Sequence, residues 1–236
     1  MKPSVVFWLL VLGADHTWSL MAQPAGTFTA TGNMTTARMF HSATLLPNGK
    51  VLIAGGWQNL PGAQGCTGQL HVRQYFLECV KLLSSAELYD PLTGTFTPTG
   101  NTTGTGLSHT ATLLPDGRVL INWGSRAEIY DPAVGTFTVV NGLAPGSGTA
   151  TLLNNGKVLF TGSPAKLFDP TDGTLVSTGA YAGTSGVLQT ATLLPNGKVL
   201  LVGNPGCCDN DSRTEVYDPV TGTFSLTAPI FPYSLT

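Results

Sequence analysis

One twelve-residue phrase recurs four times along this chain. It runs from His109 to Leu120 as His-Thr-Ala-Thr-Leu-Leu-Pro-Asp-Gly-Arg-Val-Leu, and again from His41 to Leu52, Gly148 to Leu159 and Gln189 to Leu200. A second phrase follows each copy: Ala86 to Phe96, Ala127 to Phe137, Ala165 to Leu175 and Thr214 to Phe224. A repeat this regular constrains the fold more tightly than any composition, because each unit must bury its apolar side against a copy of itself.

The physics of one unit is legible. Thr110 to Leu114 is rich in β-formers, and Pro115-Asp116-Gly117 is a turn leading into the apolar Val119 to Ile121. That second strand is apolar enough to be buried on both faces. A third strand follows over Ala127 to Tyr130, Asp131-Pro132 ends it, and Gly135 reverses the chain into Thr136 to Val139. Four short antiparallel strands cannot bury two apolar faces alone, but units stacked side by side can. The reading is an all-β β-propeller of about four four-stranded blades plus a spare N-terminal strand. The blades lie at about 41–100, 109–140, 148–178 and 189–228, within a domain spanning 23–236.

The alternation of these two phrases resembles bacterial kelch repeats, the family that includes the central propeller domain of galactose oxidase. Gly55-Gly56 matches the glycine pair that usually ends the second strand of that family. Trp123-Gly124, Gly162-Ser163 and Gly203-Asn204 keep one glycine only. The resemblance spans roughly residues 24 to 228. It implies the fold rather than one function, since such propellers host enzymes, sugar binders and scaffolds alike.

A spare strand precedes the first blade: Gly26-Thr-Phe-Thr29 copies the fourth-strand phrase with no first three strands before it. Two readings follow. Either the chain is part of a longer propeller, or it is a ring of four blades with one strand over. An incomplete ring would leave apolar blade surface and strand edges open to self-association.

Spacing adds a second clue. Thr44 and Thr112 are 68 residues apart, against 39 from Thr112 to Thr151 and 41 from Thr151 to Thr192. The extra length is an insertion over 57–83, and a smaller one covers Asn204 to Arg213. Both fall between second and third strands, so both emerge at one end of the blades, a common place for a binding surface.

Residues 1–22 stand outside the repeat. Lys2 precedes the apolar run Val5 to Leu12, and small or polar residues continue to Ala22, which resembles a secretory signal peptide. The run is too short to span a bilayer, so the chain is expected to be secreted or periplasmic and not membrane-spanning after signal removal, with a retained N-terminal anchor as the alternative. Only 10% of residues are charged and the net charge is −2, with no basic stripe, so nucleic acid is not an expected partner.

All four cysteines lie in the insertions: Cys66 and Cys79 in the first, Cys207 and Cys208 in the second. In an exported protein they read as disulfides, either a local Cys66–Cys79 bond or one joining the two insertions. A zinc site is the weaker reading, with no Cys-x-x-Cys spacing and only His71 nearby. His41 and His109 share one repeat position, which favours capping of a strand end over a shared metal. The aspartates before proline, Asp90, Asp131, Asp169 and Asp218, read as turn residues. Asp209 and Asp211 are the oxygen cluster a calcium ion would use, although a solvated loop explains them as well. Asn33, Asn101 and Asn210 open glycosylation triplets, meaningful only in a source that glycosylates.

The galactose-oxidase resemblance raises copper held by tyrosines and histidines. Tyr89, Tyr130 and Tyr217, however, sit inside the repeated Tyr-Asp-Pro phrase, and Phe168 replaces the tyrosine in the third unit. Copper is therefore not expected, and no cofactor is. Aromatic residues at the insertion end, Trp57, Tyr75, Phe76 and Trp123, are the candidate ligand contacts, because aromatic faces beside polar groups suit sugar rings or peptides. The expected function is a non-catalytic binding or scaffolding propeller for a protein or glycan. The alternatives are the propeller portion of a carbohydrate-active or galactose-oxidase-like enzyme, and a structural subunit assembling through open edges.

Overall fold

A computed structural model of the chain describes residues 30–60, 79–106, 108–146, 148–182, 187–204 and 213–227. It separates into Met1–Thr31 and Gly32–Thr236, and the description below concerns the second unit. The signal-like segment, the Gly26 to Thr29 strand, Cys66, Tyr75, Phe76, Cys207, Cys208, Asp209, Asp211 and Asn210 lie outside the described residues.

Four four-stranded antiparallel sheets follow one another, each with its strands in chain order, as the repeat predicts. The first comprises Ser42–Leu45, Val51–Ala54, Ala86–Asp90 and Thr95–Pro98. The second comprises Thr110–Leu113, Val119–Asn122, Ala127–Asp131 and Thr136–Val139. In the third the strands are Ala150–Leu152, Val158–Phe160, Lys166–Phe168 and Leu175–Ser177. The fourth holds Val187–Leu193, Val199–Asn204, Arg213–Asp218 and Thr223–Leu226. A ribbon of Trp57–Asn59 and Val80–Leu82 carries the first insertion out of the first blade.

The register is the same in every blade. Leu45 faces Val51, Leu113 faces Val119, Leu152 faces Val158 and Leu193 faces Val199. The turn between these strands explains the constancy: Gly117 adopts a φ of 87° and donates to Leu114 O, while Arg118 N–H donates to the Asp116 side chain. A left-handed residue at that corner is what glycine supplies without steric cost. At the second hairpin Gly135 N–H donates to Asp131 O, and the Asp131 carboxylate accepts from Ala133 N–H, so the repeated aspartates are turn residues.

In the fourth blade Leu200 and Val202 of the second strand are half-buried beside the buried Val199 and Leu201, whereas in the second and third blades the second strand is buried on both faces, as Val119, Leu120 and Ile121 show with no exposed surface. One face meets the preceding blade and the other the following one. Leu46, Leu52, Ala54 and Ala86 of the first blade pack against Val119, Ile121 and Tyr130 of the second. Leu114, Leu120 and Ala127 then meet Val158, Phe160 and Phe168, and Leu153, Leu159 and Ala165 meet Val199, Leu201 and Tyr217. The core is thus a series of interfaces, the arrangement expected of blades in a propeller.

Polar staples join the same neighbours. After their fourth strands the first and third blades reach forward: Gly100 N–H donates to Gly135 O, and Gly179 N–H to Gly222 O. Gly32 N–H meets Gly94 O in the same way, so the segment before the first blade docks where a fourth-strand end docks. Thr99 Oγ1 lies 2.9 Å from the buried Tyr130 hydroxyl, and Thr178 Oγ1 2.9 Å from that of Tyr217. At the junction between the second and third blades both partners change together. Phe168 replaces the tyrosine and Val140 the threonine, and the two side chains belong to one apolar cluster.

Candidate functional site

The end of the blades that carries the insertion gathers the uncommitted chemistry. It holds the starts of the first strands and the ends of the second strands. Every buried side-chain nitrogen or oxygen without a hydrogen-bond partner, among the described residues, falls here: Arg38 Nε, His41 Nδ1, His109 Nδ1, Thr110 Oγ1 and Trp123 Nε1.

His109 crosses to the first blade. Its Nε2 lies 3.1 Å from Ala54 O and 3.0 Å from Ser42 Oγ. A carbonyl only accepts, so Nε2 carries the proton and Nδ1 is left as a bare lone pair. Burial holds the imidazole below the usual histidine range, against the opposing effect of the Ala54 bond, and the nearby His41 adds to the depression. His41 is lowered too, by burial and then by the Arg38 guanidinium. The two histidines occupy matched positions, and the observed role of His109 is to bridge blades.

Trp123 packs on His109 with ring centroids 4.4 Å apart. Its bulk explains glycines elsewhere. A Cβ at Gly55 would lie 2.8 Å from Trp123 Cη2, and one at Gly104 2.7 Å from Trp123 Nε1. Trp57 is only 7% exposed, while the adjacent Phe40 is 70% exposed and stacks on it at 5.3 Å. Phe40 is the non-glycine residue with positive φ among the described residues, at 55°. Among the described residues the aromatic face offered to solvent is therefore that of Phe40, which the sequence reading passed over. Cys79, at the foot of the ribbon, is disulfide-bonded.

A half-open cavity of about 100 Å³ lies beside Trp123, walled by His109, Thr110, Asn122 and Gly148. A larger one, about 320 Å³, sits at the opposite end among the hairpin turns of the third and fourth blades. Its charged pair, Lys198 and Asp218, is already joined at 3.0 Å.

The sequence reading also missed a buried carboxylate in the third strand. Glu87 accepts from Thr35 N–H at 2.7 Å and Thr36 N–H at 3.1 Å, and pairs with the buried Arg38 at 2.8 Å. Burial alone would raise its pKa; the Thr35 N–H, the guanidinium and the Thr36 N–H outweigh that and leave it below the usual glutamate value. Glu128 accepts from Thr103 N–H, Thr103 Oγ1 and Gly104 N–H, and Glu215 from Ala182 N–H. Lys166 takes this place in the third blade and donates instead to Ala144 O at 2.7 Å. Each clasp holds the loop that enters its own blade. The available signal was a charged residue repeated in the second place of an otherwise apolar strand.

No protein family and no curated protein matches the sequence. Among solved structures, the fold is similar to a fungal alcohol oxidase of the AA5 family in complex with copper. The TM-score is 0.61 at 19% identity, covering 84% of this chain and 45% of that one. The likeness establishes a shared all-β fold, and the chain spans less than half the length of that oxidase. It corrects the expectation of no cofactor, with calcium as the candidate and copper set aside: the oxidase of similar fold is itself in complex with copper. The described residues do not fit a copper site by themselves, because among them no three His, Cys, Asp or Glu side chains stand together.

Proposed function

We propose that this chain is the propeller portion of an oxidase-type protein acting on alcohols or carbohydrates. The observation that carries this reading is the similarity of most of its length to part of a copper-complexed alcohol oxidase. The kelch-like phrasing of the repeats agrees with it. In this reading the blades form the scaffold, and the insertion-bearing end presents the aromatic and hydroxyl groups that orient a hydroxylated substrate. The test is oxygen uptake and peroxide release by the copper-loaded natural protein with a panel of primary alcohols and galactosides. Alcohol-dependent uptake supports the reading. No uptake with any of them, in protein holding stoichiometric copper, sinks it.

The second reading, a non-catalytic propeller that binds a glycan or protein, draws on the exposed Phe40 ring backed by Trp57. An aromatic face held rigidly at a domain end suits stacking against a sugar ring. Saturable glycan binding that F40A abolishes, without oxygen uptake, would select it.

A further inference from the structure

The cavity beside Trp123 has a specific origin in the repeat. Position for position, Ser42 and Ala54 of the first blade correspond to Thr110 and Asn122 of the second, and His109 corresponds to Gly148 of the third. Between the first two blades the His109 imidazole fills the slot and joins Ser42 Oγ and Ala54 O. Between the second and third blades the equivalent side chain is absent. The result is a cavity of about 100 Å³ bounded by Thr110, Asn122 and Gly148, and a Thr110 hydroxyl that is buried without a partner. The third blade resolves the same position internally, since Thr149 Oγ1 meets Thr161 Oγ1 at 3.0 Å.

Gly148 cannot supply the missing ring itself. Its φ is +147°, and a Cβ there would lie 2.8 Å from the Thr161 backbone. Trp123 stands where Gly55 stands in the filled slot, so the empty one gains an aromatic wall. Among the described residues no charged side chain lines it.

We propose that this slot is a binding site for a neutral imidazole-type ring, either a free azole or the side chain of a histidine on another polypeptide. The ring enters as the counterpart of His109, hydrogen-bonding the Thr110 hydroxyl and the Asn122 carbonyl and lying against Trp123. Buried hydroxyls are rarely left unpaired, and a ring with one N–H donor and one lone pair satisfies both kinds of partner.

The probe is imidazole at pH 8, titrated into the full chain while the Trp123 indole N–H is followed by NMR, with W123F assigning the signal. A saturable shift with a Kd on the order of 1 mM is expected for so small a ligand. Thr110→Val should weaken binding about fivefold. H109G opens the same slot between the first and second blades and should raise the stoichiometry from one to two. If H109G does not fold, the Thr110→Val comparison stands alone. N-acetylhistidine amide separates the sources: binding equal to that of imidazole indicates a histidyl side chain, and exclusion of the amide indicates a free azole. A shift that never saturates leaves the slot to solvent and overturns the proposal. Saturation unaffected by T110V, or matched by glycerol, overturns it as well.

Discussion

At the scale of single residues, the junctions between blades follow a pairing rule. A buried tyrosine hydroxyl meets a threonine from the preceding blade at two junctions, Tyr130 with Thr99 and Tyr217 with Thr178. Where the hydroxyl is lost, as at Phe168, the facing residue is Val140 and the contact is apolar. The physical reason is asymmetry: removing one partner leaves a buried group unsatisfied, whereas removing both costs little. Thr99→Val should therefore destabilise the protein by about 1–3 kcal/mol. Adding Tyr130→Phe should recover most of that loss, reproducing the pair found at the next junction. Urea denaturation of the two single variants and the double variant completes the cycle, and a double variant no better than T99V would refute the rule. The exchange at Phe168 is visible in the sequence. Its partner is not, because Val140 lies in a different phrase and only the stacking of blades brings the two together.

At the scale of elements, the entering loops are held by charge buried in the third strands. Glu87 balances the buried Arg38, and Glu128 collects three donors from Thr103 and Gly104. Glu87→Ala strands a guanidinium in the interior and should cost about 3–5 kcal/mol. The more solvent-accessible Lys166→Ala should cost about 1 kcal/mol or less. Denaturant midpoints of the two variants check the order, and equal shifts would contradict it. The His109 bridge gives a pH dependence. Its folded pKa is depressed, so above about pH 6.5, the usual histidine value, both folded and unfolded states are neutral and pH has no effect through this group. As pH falls below that, the unfolded chain takes up the proton first and stability declines until the folded value is passed. His41, lowered in the same sense, adds to the slope, while Glu87 stays ionised in this window. H109Q, which places here the glutamine that the fourth blade carries at Gln189, should reduce the decline in thermal stability between pH 7 and 5 and leave the part due to His41; an unchanged slope would assign it elsewhere. Strands, turns and registers were legible because period and turn residues are local signals. The clasps, the His109 bridge and the exposed Phe40 were not, since each depends on which neighbour a side chain meets.

At the scale of the whole molecule, the core is three interfaces in series. Each is built from the same repeat positions, and the second strands of the second and third blades contribute to the interfaces on both of their sides. Stability of such an array is the sum of the blades and their nearest-neighbour contacts, so weakening one interface should uncouple what lies on its two sides. Leu159, fully buried between the third and fourth blades, is the residue to truncate. Leu159→Ala removes about 2–5 kcal/mol from that interface alone. Trp57 and Trp123 report on the first two blades, whereas far-UV circular dichroism reports on all four. With Trp8 and Trp18 replaced by phenylalanine to isolate that signal, the parent should unfold with coincident transitions, because its three interfaces are alike. In L159A the circular dichroism change should begin at lower denaturant than the fluorescence change, as the fourth blade separates while the first two remain packed. Transitions that move together by the full cost of the truncation would show instead that the blades fold as one cooperative unit, with the polar clasps and staples carrying the coupling.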